Sequence, residues 1–177
     1  MKTLPLPFAH ECLSYDASAG TLVWRTRPRE HFASDRAWRL FNSRFAGMPA
    51  GSLSSSTGYV MVNFSGGNLI GAHRLAFALA SGRWVEFVDH IDGNRSNNAL
   101  GNLRECSRSD NQCNRGRQVN NRSGWKGVHR ISDCRWRARI NKDGVRHHLG
   151  VFETPEAAHR AYQVAAQRFH GEFANFG

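Results

Sequence analysis

Val88-Asp89-His90-Ile91-Asp92-Gly93-Asn94, followed by Asn102 and Asn111, brings together the side chains with which this chain could do chemistry. A histidine titrates near neutrality and can take a proton from water. A carboxylate and an amide oxygen can share a hard divalent cation such as Mg²⁺, which keeps water and phosphate oxygens as its other ligands. These groups suit phosphodiester hydrolysis, in which a water loses a proton as it attacks phosphorus and charge grows on the leaving and phosphoryl oxygens. On this reading Asp89 and Asn111 hold one metal, His90 stands beside it as general base, and Asn102 either holds the imidazole or pins the loop. An isolated Asp-His pair is commonly a surface turn, so the joint pattern carries the reading. Asp92 is read as structural, capping the turn at Gly93, and His73 either approaches the site or packs in the core, the structural role being preferred. Arg104, Arg108 and Arg115 are read as phosphate contacts or a solvated face.

The elements that must position these groups follow from local pattern. Residues 72–81, AHRLAFALAS, read as a helix stopped by Gly82. An apolar run over 84–91 reads as a strand, the Asp92-Gly93-Asn94 turn and an Asn-rich loop follow, and 102–105 form a second short strand. Ser107-Arg108-Ser109-Asp110 has capping-box spacing and predicts a helix to about residue 117. The order is strand, loop, strand, helix.

This segment, VDHIDGNRSNNALGNLRECSRSDNQCNR with HRLAFALASGRW before it, resembles the HNH or ββα-metal nucleases, in particular homing-type endonucleases of phages and introns. The resemblance implies His90 as general base, Asp89 and Asn111 as metal ligands, Asn102 as the middle structural residue, and a phage or prophage origin. Asn111 stands where the family's name has its last histidine. An amide oxygen there suits Mg²⁺ or Mn²⁺ better than zinc.

Upstream, residues 1–71 read as a β-rich region, with β-like runs at 21–25 and 59–64, turns at 51–58 and 66–67, and one short helix at 36–45. Downstream, after a polar linker at 118–123, three strands are predicted at 126–131, 135–141 and 146–152, turning at Asp133-Cys134 and Asp143-Gly144. Thr154 and Pro155 then open a helix, with Ala158, Ala161, Tyr162, Ala165 and Phe169 on one face. In the middle strand Trp136, Ala138 and Ile140 share one face while Arg135, Arg137, Arg139 and Asn141 share the other. The basic face fits phosphate, and Lys126, Arg130, Arg135, Arg137, Arg139 and Arg146 are the candidate DNA contacts, with His129 behind them. The segments SGWKGV, WRARI and LGVF and the Ala-rich helix are similar to the ethylene-response-factor (Apetala-type) DNA-binding domain, which implies that the sheet lies in the major groove.

Charge agrees with a polyanionic partner: 24 Lys+Arg, most of them Arg, stand against 14 Asp+Glu, a formal net charge of +10. Between Arg104 and Arg146 there are 12 Lys/Arg and four Asp/Glu. No run approaches the roughly 18 apolar residues of a membrane span, and the first ten residues lack a signal-peptide pattern, so an intracellular, cytoplasmic protein is expected. Cys12, Cys106, Cys113 and Cys134 form no C-x-x-C pair and are expected as free thiols. The expected fold class is α+β: a β-rich region at 1–71, a ββα-metal nuclease core at 72–118, a linker at 119–124, and a three-stranded antiparallel sheet packed on one helix at 125–177. The expected function is metal-dependent cleavage of double-stranded DNA with Mg²⁺ or Mn²⁺, without membrane or small-molecule substrate. Cutting a second strand requires a homodimer or a second binding event. The competing reading is a DNA-binding regulator with a catalytically silent HNH scaffold.

Overall fold

The computed structural model describes residues 4–64, 67–117 and 120–177. Gly66 of one expected turn and the start of the expected linker lie outside the described residues. The fold mixes helices with antiparallel sheets, and the chain contacts divide it into two compact units, Met1–Glu105 and Cys106–Gly177.

The first unit opens with helix α1, Leu6–Cys12. No helix was expected in this stretch, which carries Pro5 and Pro7. A proline in the first helical turn removes only an N–H that would have no helical partner, so the helix tolerates it. Strands β1 (Leu13–Asp16) and β2 (Thr21–Trp24) pair as a hairpin, Leu13 opposite Trp24 and Asp16 opposite Thr21. The side chain of Asp16 accepts from the Ser18 and Ala19 amides and so holds the turn. Helix α2, Asp35–Phe45, is capped by Ser34, whose hydroxyl accepts from the Ala37 amide. Strands β3 (Ser52–Leu53), β4 (Val60–Phe64) and β5 (Asn68–Gly71) form an antiparallel sheet in that order. The region expected to be β-rich therefore also carries two helices.

Helix α3, Ala72–Ser81, sits at the centre of this unit and ends at Gly82, whose φ of 72° is the left-handed conformation that glycine adopts without strain. Ala72 and Leu75 pack with Ala9, Leu13, Trp24, Val62, Phe64 and Ile70, drawn from α1 and both sheets. Ala76 packs with Val85, Val88 and Leu103 beneath strands β6 (Phe87–His90) and β7 (Leu103–Cys106), which form a two-stranded sheet. The expected strand at 84–91 is shorter than its apolar run.

In the second unit, α4 (Arg108–Cys113) begins with the capping box foreseen at Ser107 and Asp110. It stops four residues before the expected end, the Arg115 amide then closing a tighter turn on the Gln112 carbonyl. Strands β8 (Val128–Ser132), β9 (Arg135–Lys142) and β10 (Val145–Phe152) form an antiparallel sheet with β9 in the middle. Helix α5, Pro155–His170, covers one face, Ala158, Tyr162, Ala165 and Ala166 packing on Val128, Ala138 and Ile140. All four cysteines are free thiols, and no described helix is long and apolar enough to cross a membrane.

Leu75 is fully enclosed. Leu75→Ala is expected to destabilise the first unit by about 3 kcal/mol, from lost transfer energy and the cavity left behind. Urea denaturation of both proteins measures the difference.

Candidate active site and nucleic-acid interface

Strand β6 delivers Asp89 and His90 to the interior; they are only 6% and 4% exposed. Consecutive strand residues leave on opposite sides, and these two meet different neighbours. His90 Nε2 lies 3.2 Å from the Asn98 side-chain oxygen. Its ring lies 5.1 Å from that of His73 and 5.9 Å from that of Tyr59. Asp89 Oδ2 accepts from Arg104 Nη2 at 2.9 Å and Nε at 3.2 Å. Burial lowers the His90 pKa, partly countered by the Asn98 hydrogen bond and the neighbouring carboxylates of Asp92 and Asp89, so its basic, neutral form is favoured. Burial also holds His73 down to about 3, keeping it neutral beside His90. The His73 Nδ1 is buried and has no hydrogen-bond partner.

The loop between β6 and β7 is built from amides. The Asn102 side-chain oxygen accepts from the Asp92 amide at 3.0 Å, while its Nδ2 donates to Asp92 Oδ1 and the Asn97 carbonyl, both at 2.9 Å. Asn97 Nδ2 donates to the other Asp92 oxygen. Burial raises the Asp92 pKa, but the hydrogen bonds from Asn97, Asn102 and the Asn94 amide outweigh it and leave the carboxyl below its ordinary range. Of the two roles open to Asn102, the structure gives it the loop, and the imidazole is held by Asn98.

Asn98 escaped the sequence reading. It stands in a run of amides, and nothing in its local pattern marks it as the one that turns inward. The β1–β2 hairpin fixes its backbone: Tyr15 Oη donates to the Asn98 carbonyl at 2.8 Å, and the Leu100 amide donates to the Ala17 carbonyl at 2.8 Å. Gly20, at φ 70°, lies so close that a Cβ there would collide with the backbone of Asn98 and Ala99. Arg104, read from sequence as a phosphate contact or a solvated face, is instead the half-buried partner of Asp89. For His73 both roles left open by the sequence are met: it packs inside the unit and its ring neighbours the imidazole of His90. Asn111 lies on α4 in the second unit, part-exposed, its amide donating to the Ser107 carbonyl. Among the described residues no cluster of three or more His, Cys, Asp or Glu could hold a metal.

On the second unit, the sheet register sorts the basic candidates. Arg137 lies opposite His129 and Val151, Arg139 opposite His148, and Arg146 opposite Asn141, which puts them on the face away from α5. Arg135, Arg137 and Arg146 are exposed and form no ion pair with the described residues. Burial, then the charges of Arg146 and Arg137, lower the Arg139 pKa; burial, then Arg139, Arg137 and Arg146, lower that of His129. Arg139 Nε donates to His129 Nε2 at 2.9 Å, which holds this imidazole neutral within the cluster. Such a concentration of positive charge is unfavourable without an anion across from it.

Two of the candidates point elsewhere. Arg130 lies opposite Trp136, on the α5 side of the sheet, with its guanidinium 5.9 Å from that ring and paired to Asp133. Lys126 precedes β8, and its ammonium donates to the carbonyls of Cys113, Arg115 and Asn175 at 3.0, 2.6 and 2.8 Å. Those contacts occupy its three donors, so it serves the interior of the unit rather than an outside ligand.

The HNH endonuclease family model matches residues 71–113, from the end of β5 through α4. This chain carries an HNH endonuclease domain. It is 36% identical over 88 residues to an uncharacterized HNH endonuclease, L560, of Acanthamoeba polyphaga mimivirus, an overlap covering 50% of this chain and 45% of that protein. It is 33% identical over 91 residues to Protein 3.8 of Escherichia phage T7, covering 51% and 74% respectively, and belongs to the same family. No solved structure matches. The HNH stretch contains Asp89, His90, Asn98, Asn102 and Asn111, and it runs across the boundary between the two units.

Two outcomes test this geometry. Arg104→Met leaves the Asp89 carboxylate buried without its cation and should cost about 3 kcal/mol, most of it recovered when Asp89→Leu is added. A double-mutant cycle by chemical denaturation reads both. Gly20→Ala should dislodge the loop at Asn98, seen as faster hydrogen exchange at the Leu100 amide than in the parent.

Proposed function

We propose that the chain is a DNA endonuclease of HNH type that hydrolyses phosphodiester bonds with a divalent metal. The observation that carries this reading is the buried His90, its Nε2 held by Asn98 beside an Asp89 that is itself held by Arg104. His90 takes the proton of the attacking water, and its depressed pKa keeps it in the accepting form at neutral pH. Asn98 and the His73 ring orient the imidazole. Asn102 holds the turn that follows His90, so the base does not swing away. Asp89 and Asn111 are the metal ligands in this proposal. One carboxylate and one amide oxygen suit hard Mg²⁺ or Mn²⁺ rather than zinc. The ion when bound neutralises charge on the phosphoryl and leaving oxygens.

The second unit holds the substrate in this proposal, in keeping with its similarity to the Apetala-type DNA-binding domain. Arg135, Arg137, Arg139 and Arg146 contact phosphates and bases of double-stranded DNA from the sheet face. Holding the duplex there raises its concentration at the hydrolytic site. The same face alone would serve a DNA-binding regulator, which gives that second reading its support.

Supercoiled plasmid separates the two. Wild type with Mg²⁺ should convert it to open circle or linear form, with no conversion in EDTA. His90→Ala should lose at least about a hundredfold in rate, the scale of a general base, while retaining its gel shift. Equal cutting by the mutant would remove His90 from the mechanism. A salt-sensitive gel shift without any metal-dependent cutting would favour the regulator.

A further inference from the structure

Helix α2 carries a charged face that neither the hydrolytic site nor the arginine sheet uses. Its inner side is anchored: Trp38 Nε1 and Asn42 Nδ2 both donate to the Arg27 carbonyl at 2.9 Å, and Phe41 packs edge-on against Trp24. Arg27 itself is buried, its guanidinium 4.7 Å from the Phe32 ring and 4.9 Å from the Phe41 ring. These contacts fix which way the helix faces. The outward side presents Arg36, Arg39, Leu40, Ser43 and Arg44, all exposed, with Leu40 63% exposed.

This face differs from an ordinary solvated helix surface, where acids and bases alternate. Its one acid, Asp35, is taken up by Arg29. Arg36 and Arg39 stand one turn apart, where like charges repel, and neither has an ion-pair partner among the described residues. Arg36 also lies in the first turn, where the helix dipole disfavours a cation. Arg36 is not placed to stabilise the helix, and Arg39, four residues after Asp35, gains only an exposed attraction to a carboxylate already paired with Arg29. From Arg36 to Arg44 the face covers about 12 Å of helix axis at 1.5 Å per residue, long enough to follow successive phosphates of one strand.

We infer that the outer face of α2 is a second nucleic-acid contact, gripping the sugar-phosphate backbone of duplex DNA through Arg36, Arg39 and Arg44 independently of the C-terminal sheet. The inference rests on the DNA-endonuclease reading and extends it by giving the N-terminal unit a hold of its own on the substrate. Backbone contacts carry no sequence information, so this grip adds affinity without adding specificity.

The test is the salt dependence of duplex binding by the full chain in EDTA, read by fluorescence anisotropy, for wild type and R36Q/R39Q/R44Q. Each phosphate contact contributes about 0.9 to the slope of log affinity against log salt, so the triple variant should lose about 2 to 3 from that slope. Its melting temperature should match wild type, because the altered side chains are exposed. R36K/R39K/R44K should keep the slope. An unchanged slope in the glutamine variant, with wild type still binding duplex, would overturn this surface and leave the endonuclease reading standing. Equal losses in the lysine and glutamine variants would overturn the phosphate grip. Wild type that binds no duplex would overturn both readings. Sedimentation of wild type, but not the glutamine variant, with phosphatidylserine-containing vesicles at an unchanged DNA slope would reassign the face to a membrane surface.

Discussion

A carboxylate taken out of water must find a cation or be driven neutral, and the surroundings of Asp89 and His90 are arranged around that requirement. Asp89 is almost wholly buried, and its cation comes from Arg104 on the neighbouring strand. The pair ties β6 to β7 through side chains as well as through backbone. It also limits how β6 can shift, because a one-residue slip would turn Asp89 outward and bring His90 against Arg104. The alternation that seats Asp89 against its cation thereby gives His90 its neutral, aromatic surroundings.

The loop that follows solves a second problem with side chains of a single type. A sharp turn after a strand leaves several backbone groups without partners, and asparagine can donate to one and accept from another at once. Asn94, Asn97 and Asn102 close the turn around Asp92, while Asn98 faces inward to His90. The hairpin of β1 and β2 presses on the loop from outside, through Tyr15, Ala17 and the bare backbone of Gly20. Residues some eighty positions upstream thus take part in aiming the imidazole.

Features set by short-range pattern were legible in the sequence. The periodicity of 72–81 and the glycine after it foretold α3, Ser107 and Asp110 foretold the start of α4, and the alternation of β9 separated its arginines from its core. The groups that could do chemistry were visible by type and spacing. What escaped depends on which way a side chain turns once distant elements meet. Arg104 and Arg108 look alike in sequence, yet one is paired with the buried Asp89 and the other is exposed. Asn98 is one amide among several. Arg130 falls on the α5 side because Val128 pairs with Ala138, a register fixed by the fold. Helix α1, with a proline in its first turn, was not foreseen.

Lys126 bears on how such proteins can be recombined. Its ammonium fastens the end of α4, the Arg115 carbonyl and the C-terminal tail into one piece, and Asn175 adds a bond to the Asn114 carbonyl. A chimera joined at the polar stretch near 118 would therefore separate the Cys113 and Arg115 carbonyls from the ammonium that binds them. The compact unit that begins at Cys106 takes with it the helix that bears Asn111, so a transplanted three-stranded sheet would bring part of the HNH stretch along.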